Sequence, residues 1–169
     1  DGWSSNVNSV HDKYKVLDGT IAANKSAAES GSEMGGGSNN FAVQAANIAA
    51  QNPVPDHVEV LLGGNDICNR DCTDPANCTN PLFTDAQWRA SVQAGLNTLM
   101  TSMPVGGTVF LGSVPRIQDL RPAGLAKEAS SSRINCQNIW SDYDICNIAT
   151  SSALMSGEAV DDRRTVIAA

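Results

Sequence analysis

An α/β fold built on a parallel sheet is predicted by three features of the sequence. Two short runs, residues 56–62 and 108–114, are apolar and rich in β-branched residues, and each stops at a breaker, Gly63-Gly64 in the first case and Pro115 in the second. Between them Trp88, Val92, Leu96, Leu99 and Met103 recur at helical spacing. The third feature is Thr84-Asp85-Ala86-Gln87, a Thr-x-x-Gln capping box that opens this periodic stretch. Strand, capped helix and strand make a βαβ unit, whose right-handed crossover leaves its strands parallel. A parallel sheet buries both faces, so helices are expected on either side of it in a three-layer α/β/α arrangement.

Each element follows from local chemistry. The capped helix should run from Asp85 to about Ser102, with Trp88, Leu96 and Leu99 inward. Upstream, Phe41, Ala45, Ile48 and Ala49 mark a second amphipathic helix, with Ser38, Asn39 and Asn40 as cap candidates and Pro53 and Pro55 ending it before the first strand. Ahead of it lies a Gly-rich loop, residues 31–37, fed by residues 25–30 as a further extended stretch whose alanines weaken its strand character. Residues 121–132 and 136–156 show no clean period and read as loops and short helices pinned by cysteines. No internal repeat or linker divides residues 1–169, which fit a single domain.

Composition excludes several classes of function. The net charge is −7, with 11 basic against 18 acidic residues and no basic run, which argues against nucleic-acid binding. No apolar stretch reaches the roughly 20 residues that span a bilayer. Five cysteines, Cys68, Cys72, Cys78, Cys136 and Cys146, lack paired Cys-x-x-Cys knuckles, and only His11 and His57 accompany them, so neither a metal nor another cofactor is expected. Disulfides in an oxidising compartment are the expectation, in keeping with the sequons Asn24-Lys25-Ser26 and Asn77-Cys78-Thr79 and with secretion. The odd cysteine, the start at Asp1 and the helix-like Val166, Ile167 and Ala168 at the end lead to the expectation of a central piece cut from a longer chain.

In an open parallel sheet, ligands bind beyond the carboxyl ends of the strands. Three segments fall there: the 31–37 loop, Gly63-Gly64-Asn65-Asp66, and Ser113-Val114-Pro115-Arg116. The loop lacks the Lys of a P-loop, and Glu33 would repel a phosphate. It serves either as a flexible turn or as a source of catalytic backbone amides. In the second segment, two glycines let the backbone approach a ligand while Asn65 presents a neutral amide donor, the type of group that stabilises an oxyanion. The same residues also fit an Asn-Asp turn that caps backbone groups.

The run Val58-Glu59-Val60-Leu61-Leu62-Gly63-Gly64-Asn65-Asp66 resembles the third conserved block of the SGNH (GDSL-type) hydrolases, a strand running into Gly-x-Asn-Asp. Ala28-Glu29-Ser30-Gly31-Ser32-Glu33-Met34 is similar to the second block, and Gly112-Ser113-Val114-Pro115-Arg116-Ile117 to the Ser-x-Pro segment of the next strand. The stretch Trp3-Ser4-Ser5-Asn6-Val7-Asn8-Ser9 resembles the residues just after the first block in a secreted bacterial branch. The resemblance implies a flavodoxin-like three-layer fold and an acyl-serine esterase or lipase-like hydrolase. It places Gly31 and Asn65 in the oxyanion hole and Gly64 and Asp66 at the substrate, which would be a small-molecule, lipid or acylated-carbohydrate ester. Cysteines of similar proteins also imply a Cys68–Cys146 bridge, while Cys72 and Cys78 can pair locally and leave Cys136 unmatched.

Two parts of the family pattern do not map. No Gly-Asp-Ser supplies a nucleophile and no Asp-x-x-His supplies a base: Asn8 stands three before His11, and Val54 three before His57. His57 opens its strand, at the wrong edge of the sheet for catalysis, and His11 belongs to a polar helix-like stretch. Ser4 and Ser5 follow Trp3 without the strand-ending elbow that presents a nucleophile. Nucleophile and base are therefore expected outside the segment. The alternative is a non-catalytic ligand-binding or interaction domain that retains the hydrolase fold.

Overall fold

A computed structural model describes residues 10–21, 25–76, 78–152 and 157–169. In chain order they form α1 (Val10–Leu17), α2 (Phe41–Ala49), β1 (His57–Val60), α3 (Gly64–Cys68), α4 (Asp85–Ser102), β2 (Thr108–Leu111), α5 (Leu120–Ser130), α6 (Cys136–Asp142), α7 (Asn147–Thr150) and α8 (Val160–Ala168). The strands pair in parallel, His57 opposite Thr108 through Val60 opposite Leu111, with α4 in the crossover. The protein is thus α/β with a parallel βαβ unit.

α4 has the predicted bounds because both halves of its capping box form. The Gln87 amide donates to Thr84 Oγ1 at 3.3 Å, and the Thr84 amide donates to Gln87 Oε1 at 2.9 Å. Thr84→Ala leaves the first-turn amides unmet and is expected to cost about 1 kcal/mol, read as a lowered denaturation midpoint at unchanged slope. α2 is capped by Asn40, whose side chain accepts from the Val43 amide at 3.3 Å.

α2 and α4 pack on one face of the sheet. Met34, Phe41, Ala45, Val58, Val60 and Leu99 are the buried centre of this layer, with Trp88 and Leu96 half-buried against it. The helices approach closely because α4 has no side chain at Gly95, where a Cβ would run into the Phe41 ring. Gly95→Ala is expected to destabilise the fold by about 1–3 kcal/mol through overpacking despite its better helix propensity, a sign that a thermal melt reads directly.

The opposite face departs from the expected two-sided cover. Leu61 and Phe110 are exposed there, and Glu59 stands beside Phe110 in the register. The strands are also shorter than the runs that announced them, since β1 and β2 give way to irregular chain at Leu61 and Gly112. Residues 25–30 are irregular rather than a strand, because no neighbouring strand takes up their backbone groups among the described residues.

The second half is more helical than its lack of period suggests. α5 and α6 pack around Trp140, which lies over Gly124, and Gln137 donates to Glu128 through its amide at 2.7 Å and its side chain at 2.8 Å. A smaller core of Cys146, Ile148 and Ala149 collects Ile67, Leu82, Leu120 and Ile167 from four other segments. Two disulfides form, Cys68–Cys146 and Cys72–Cys78, leaving Cys136 unpaired. Glu158 holds the short Cys72–Cys78 loop by accepting from the Thr73 amide, the Thr73 hydroxyl and the Asp74 amide at 3.0–3.2 Å. Beside it the Arg163 side chain is buried, with Nη2 donating to the Ser151 carbonyl at 2.6 Å. That burial pushes its pKa down, opposed by the charge of Glu158.

Among the described residues no helix is long and apolar enough to cross a membrane, and no group of His, Cys, Asp and Glu is arranged to hold a metal ion. The Trp3 to Ser9 stretch and the sequon asparagines Asn24 and Asn77 lie outside the described residues.

Candidate functional site

The site forms where β1 ends. Gly63 turns the chain with φ of +116°, and a Cβ there would meet Val114 Cγ2 at 2.6 Å and the Trp88 ring at 2.7 Å. Only glycine satisfies both the backbone and the space. The turn leads directly into α3, so Gly64, Asn65 and Asp66 sit on one helical turn instead of in an open loop. Gly31 turns at φ of +78°, with open space where its Cβ would be.

Gly31, Gly63, Gly64 and Asn65 line one end of a cavity of about 1640 Å³ that runs the length of β1. It is lined by the irregular residues 25–32, by α1, by Phe41, Gln44 and Ile48 of α2, and by the β1 segment. Pro115, from the third candidate segment, borders it too, whereas Arg116 is exposed and pairs with Asp119 at 3.0 Å.

Asn65 Nδ2 donates to the Ser32 carbonyl at 2.8 Å, which brings the side-chain amide to the Ser32–Glu33 peptide, one residue beyond Gly31. One amide hydrogen is used in this bond and the other is left for a ligand. The Gly31 N–H donates to no acceptor among the described residues. Ser32 is 6% exposed and its hydroxyl is buried without a hydrogen-bond partner among the described residues, a costly state that a bound polar group would relieve. The Gly31 amide, the Ser32 hydroxyl and the Asn65 amide thus belong to one small neighbourhood of donors.

Asp66 has a different place from its neighbours. It is 2% exposed, its Oδ2 accepts from the Met34 amide at 2.6 Å and its Oδ1 from the Gly35 amide at 2.9 Å, and it does not line the cavity. The assignment of Asp66 to the substrate does not fit this geometry, since both its oxygens are taken up in holding the glycine loop. Of the two readings left open for the loop, the flexible turn does not fit residues held in this way.

Glu33, read from sequence as an obstacle to anions, is buried and paired. Its Oε1 accepts from Asn69 Nδ2 at 2.8 Å and its Oε2 from Arg70. Arg70 also donates to the Asp66 carbonyl at 3.1 Å and Asn80 Oδ1 at 2.8 Å, and lies 4.4 Å over the Phe83 ring. Gly36 must be glycine because a Cβ would strike the Glu33 carboxylate. Sequence reasoning missed Ser32, Glu33, Asn69 and Arg70. The only signal for them was an acidic residue in a glycine loop facing a basic one far along the chain.

The histidines do not join this neighbourhood. His57 opens β1, where its Nδ1 lies 2.7 Å from Thr108 Oγ1, its Nε2 3.3 Å from Glu59 and its ring edge-on to Tyr14. At about 3.3 Å per residue, the strand separates it from Gly63 by roughly 20 Å. His11 stands on α1. No family model, no curated protein and no solved structure matches the chain.

Proposed function

We propose that the chain carries the oxyanion-binding portion of a secreted carboxylic-ester hydrolase of the SGNH type, acting through an acyl-serine intermediate. The observation that carries the reading is the bond from the Asn65 side chain to the Ser32 carbonyl where β1 ends, which brings a side-chain amide to the loop whose Gly31 amide donates to no acceptor among the described residues. Such paired neutral donors stabilise the negative oxygen that develops when a nucleophile attacks an ester carbonyl, and they do so without exchanging a proton. Gly31 and Asn65 bind the oxyanion in this reading, and Gly64 gives the substrate room beside the turn. The seryl nucleophile and histidine base come from chain beyond residues 1–169, whose further strand and helices complete a flavodoxin-like three-layer sheet. The apolar run of β1 beside the cavity favours the acyl part of a lipid, an acylated carbohydrate or a small ester.

The reading is tested with protein extended on both sides of these residues: hydrolysis of p-nitrophenyl esters and labelling by a serine-directed fluorophosphonate are expected. Absence of both sinks it. A non-catalytic ligand-binding domain is the second reading, favoured by the engagement of His57 with Thr108 and Glu59 far from the donors. Ligand binding to the cavity with no turnover decides for it.

A further inference from the structure

We infer that the buried Glu33–Arg70 pair is the positioning device of this site: it fixes the Gly31 amide relative to the Asn65 side chain. The inference rests on the hydrolase reading only for its catalytic consequence. Glu33 is 6% exposed, and the guanidinium and carboxylate lie side by side with 10% and 8% of their side chains exposed. A pair so far from water is a doubtful source of stability, since desolvation offsets much of its attraction. Its geometric effect is specific, because Glu33 belongs to the loop and Arg70 follows α3.

Four successive loop residues are tied to the α3 region. The Ser32 carbonyl accepts from Asn65, the Glu33 carboxylate is gripped by Asn69 and Arg70, and the Met34 and Gly35 amides donate to Asp66. The ties depend on one another. Asp66 is a second buried acidic residue at this surface, and Arg70 ties it to Glu33, reaching the Glu33 carboxylate through Nη2 and the backbone carbonyl of Asp66 through Nε. Without this link the Glu33 side chain and the Asp66 backbone would no longer be held to one another, and the clamp on Met34 and Gly35 would loosen. Gly31 immediately precedes the clamped residues, so its amide would lose its fixed distance from Asn65. Displacements of about 1 Å at a reacting centre cost on the order of 10²-fold in rate.

Two variants in the intact chain separate charge from geometry. Glu33→Gln keeps the volume and an acceptor for Asn69 but drops the charge, and Arg70→Lys keeps the charge but loses the fork. Native-state amide exchange by NMR is expected to quicken at least tenfold at Met34 and Gly35 in both variants while amides of α4 stay protected. Unchanged exchange at these two amides in Glu33→Gln overturns the inference. So does a uniform rise over the whole chain, the mark of general destabilisation. In ester-hydrolysing protein kcat should fall about tenfold to a hundredfold with KM within twofold, and the double variant should lose less than the product of the single losses. Full kcat in Glu33→Gln also overturns it. Protein with no turnover that still shows the local exchange response retains the clamp and loses the hydrolase reading, so the two failures are distinguishable.

Discussion

Asn65→Ala is expected to lower kcat for ester hydrolysis by about 10²–10³ while KM changes little, because the donor acts on charge that exists only in the transition state. The substitution also removes the bond from Asn65 to the Ser32 carbonyl at 2.8 Å. A purely structural role would therefore appear as a lower melting temperature and less active protein, with kcat per active site intact. Titrating active sites with a fluorophosphonate separates the two, and Asn65→Asp sharpens the contrast: its carboxylate cannot donate and would repel the oxyanion. Unaltered kcat in Asn65→Ala would mean that the residue serves only to fasten the loop.

Loss of the Cys68–Cys146 bridge is the largest stability effect expected. The cysteines are 78 positions apart, and closing a loop of that size lowers the entropy of the unfolded chain by an amount worth roughly 3–5 kcal/mol. Cys146 is buried beside Ile148 and Ala149, so its replacement by Ala also loosens the smaller core. Cys68→Ala/Cys146→Ala should therefore lower the chemical denaturation midpoint far more than Cys72→Ala/Cys78→Ala, whose loop spans only 6 positions. Equal losses from the two pairs would refute the argument from loop length. Because Cys68 closes the helix that carries Asn65, the larger loss should be accompanied by faster exchange around α3.

The parts of the fold legible in the sequence were those specified locally. The capping box and the stripe Trp88, Leu96 and Leu99 gave α4 with correct ends, and Asn40 with Phe41 gave α2, because caps and periodicity act within a few residues. β1 and β2 were legible as strands, and their parallel pairing followed from the crossover between them. α5 was not, since Pro122 and Gly124 obscure its pattern: Pro122 is tolerated in the first turn, and Gly124 is required by the Trp140 ring rather than by the helix. The site divides in the same way. Gly31 and Asn65 announce themselves through glycine turns and a polar residue at a strand end, whereas Glu33 with Arg70, and Asp66 with Met34 and Gly35, are contacts across more than thirty positions. Long-range pairing of this kind leaves no periodic trace.

The Cys68–Cys146 bridge also governs what a protease would leave behind. In the turn between α4 and β2 Val105 is fully exposed and Gly106 beside it is exposed, the type of loop tip where cleavage concentrates. It lies inside the segment that the bridge closes, so a single cut there opens a ring without releasing either piece. The nicked molecule would keep its mass and migrate as one species until a reductant is added. Strands β1 and β2 would then belong to separate fragments, held together only by packing and by the hydrogen bonds between the strands.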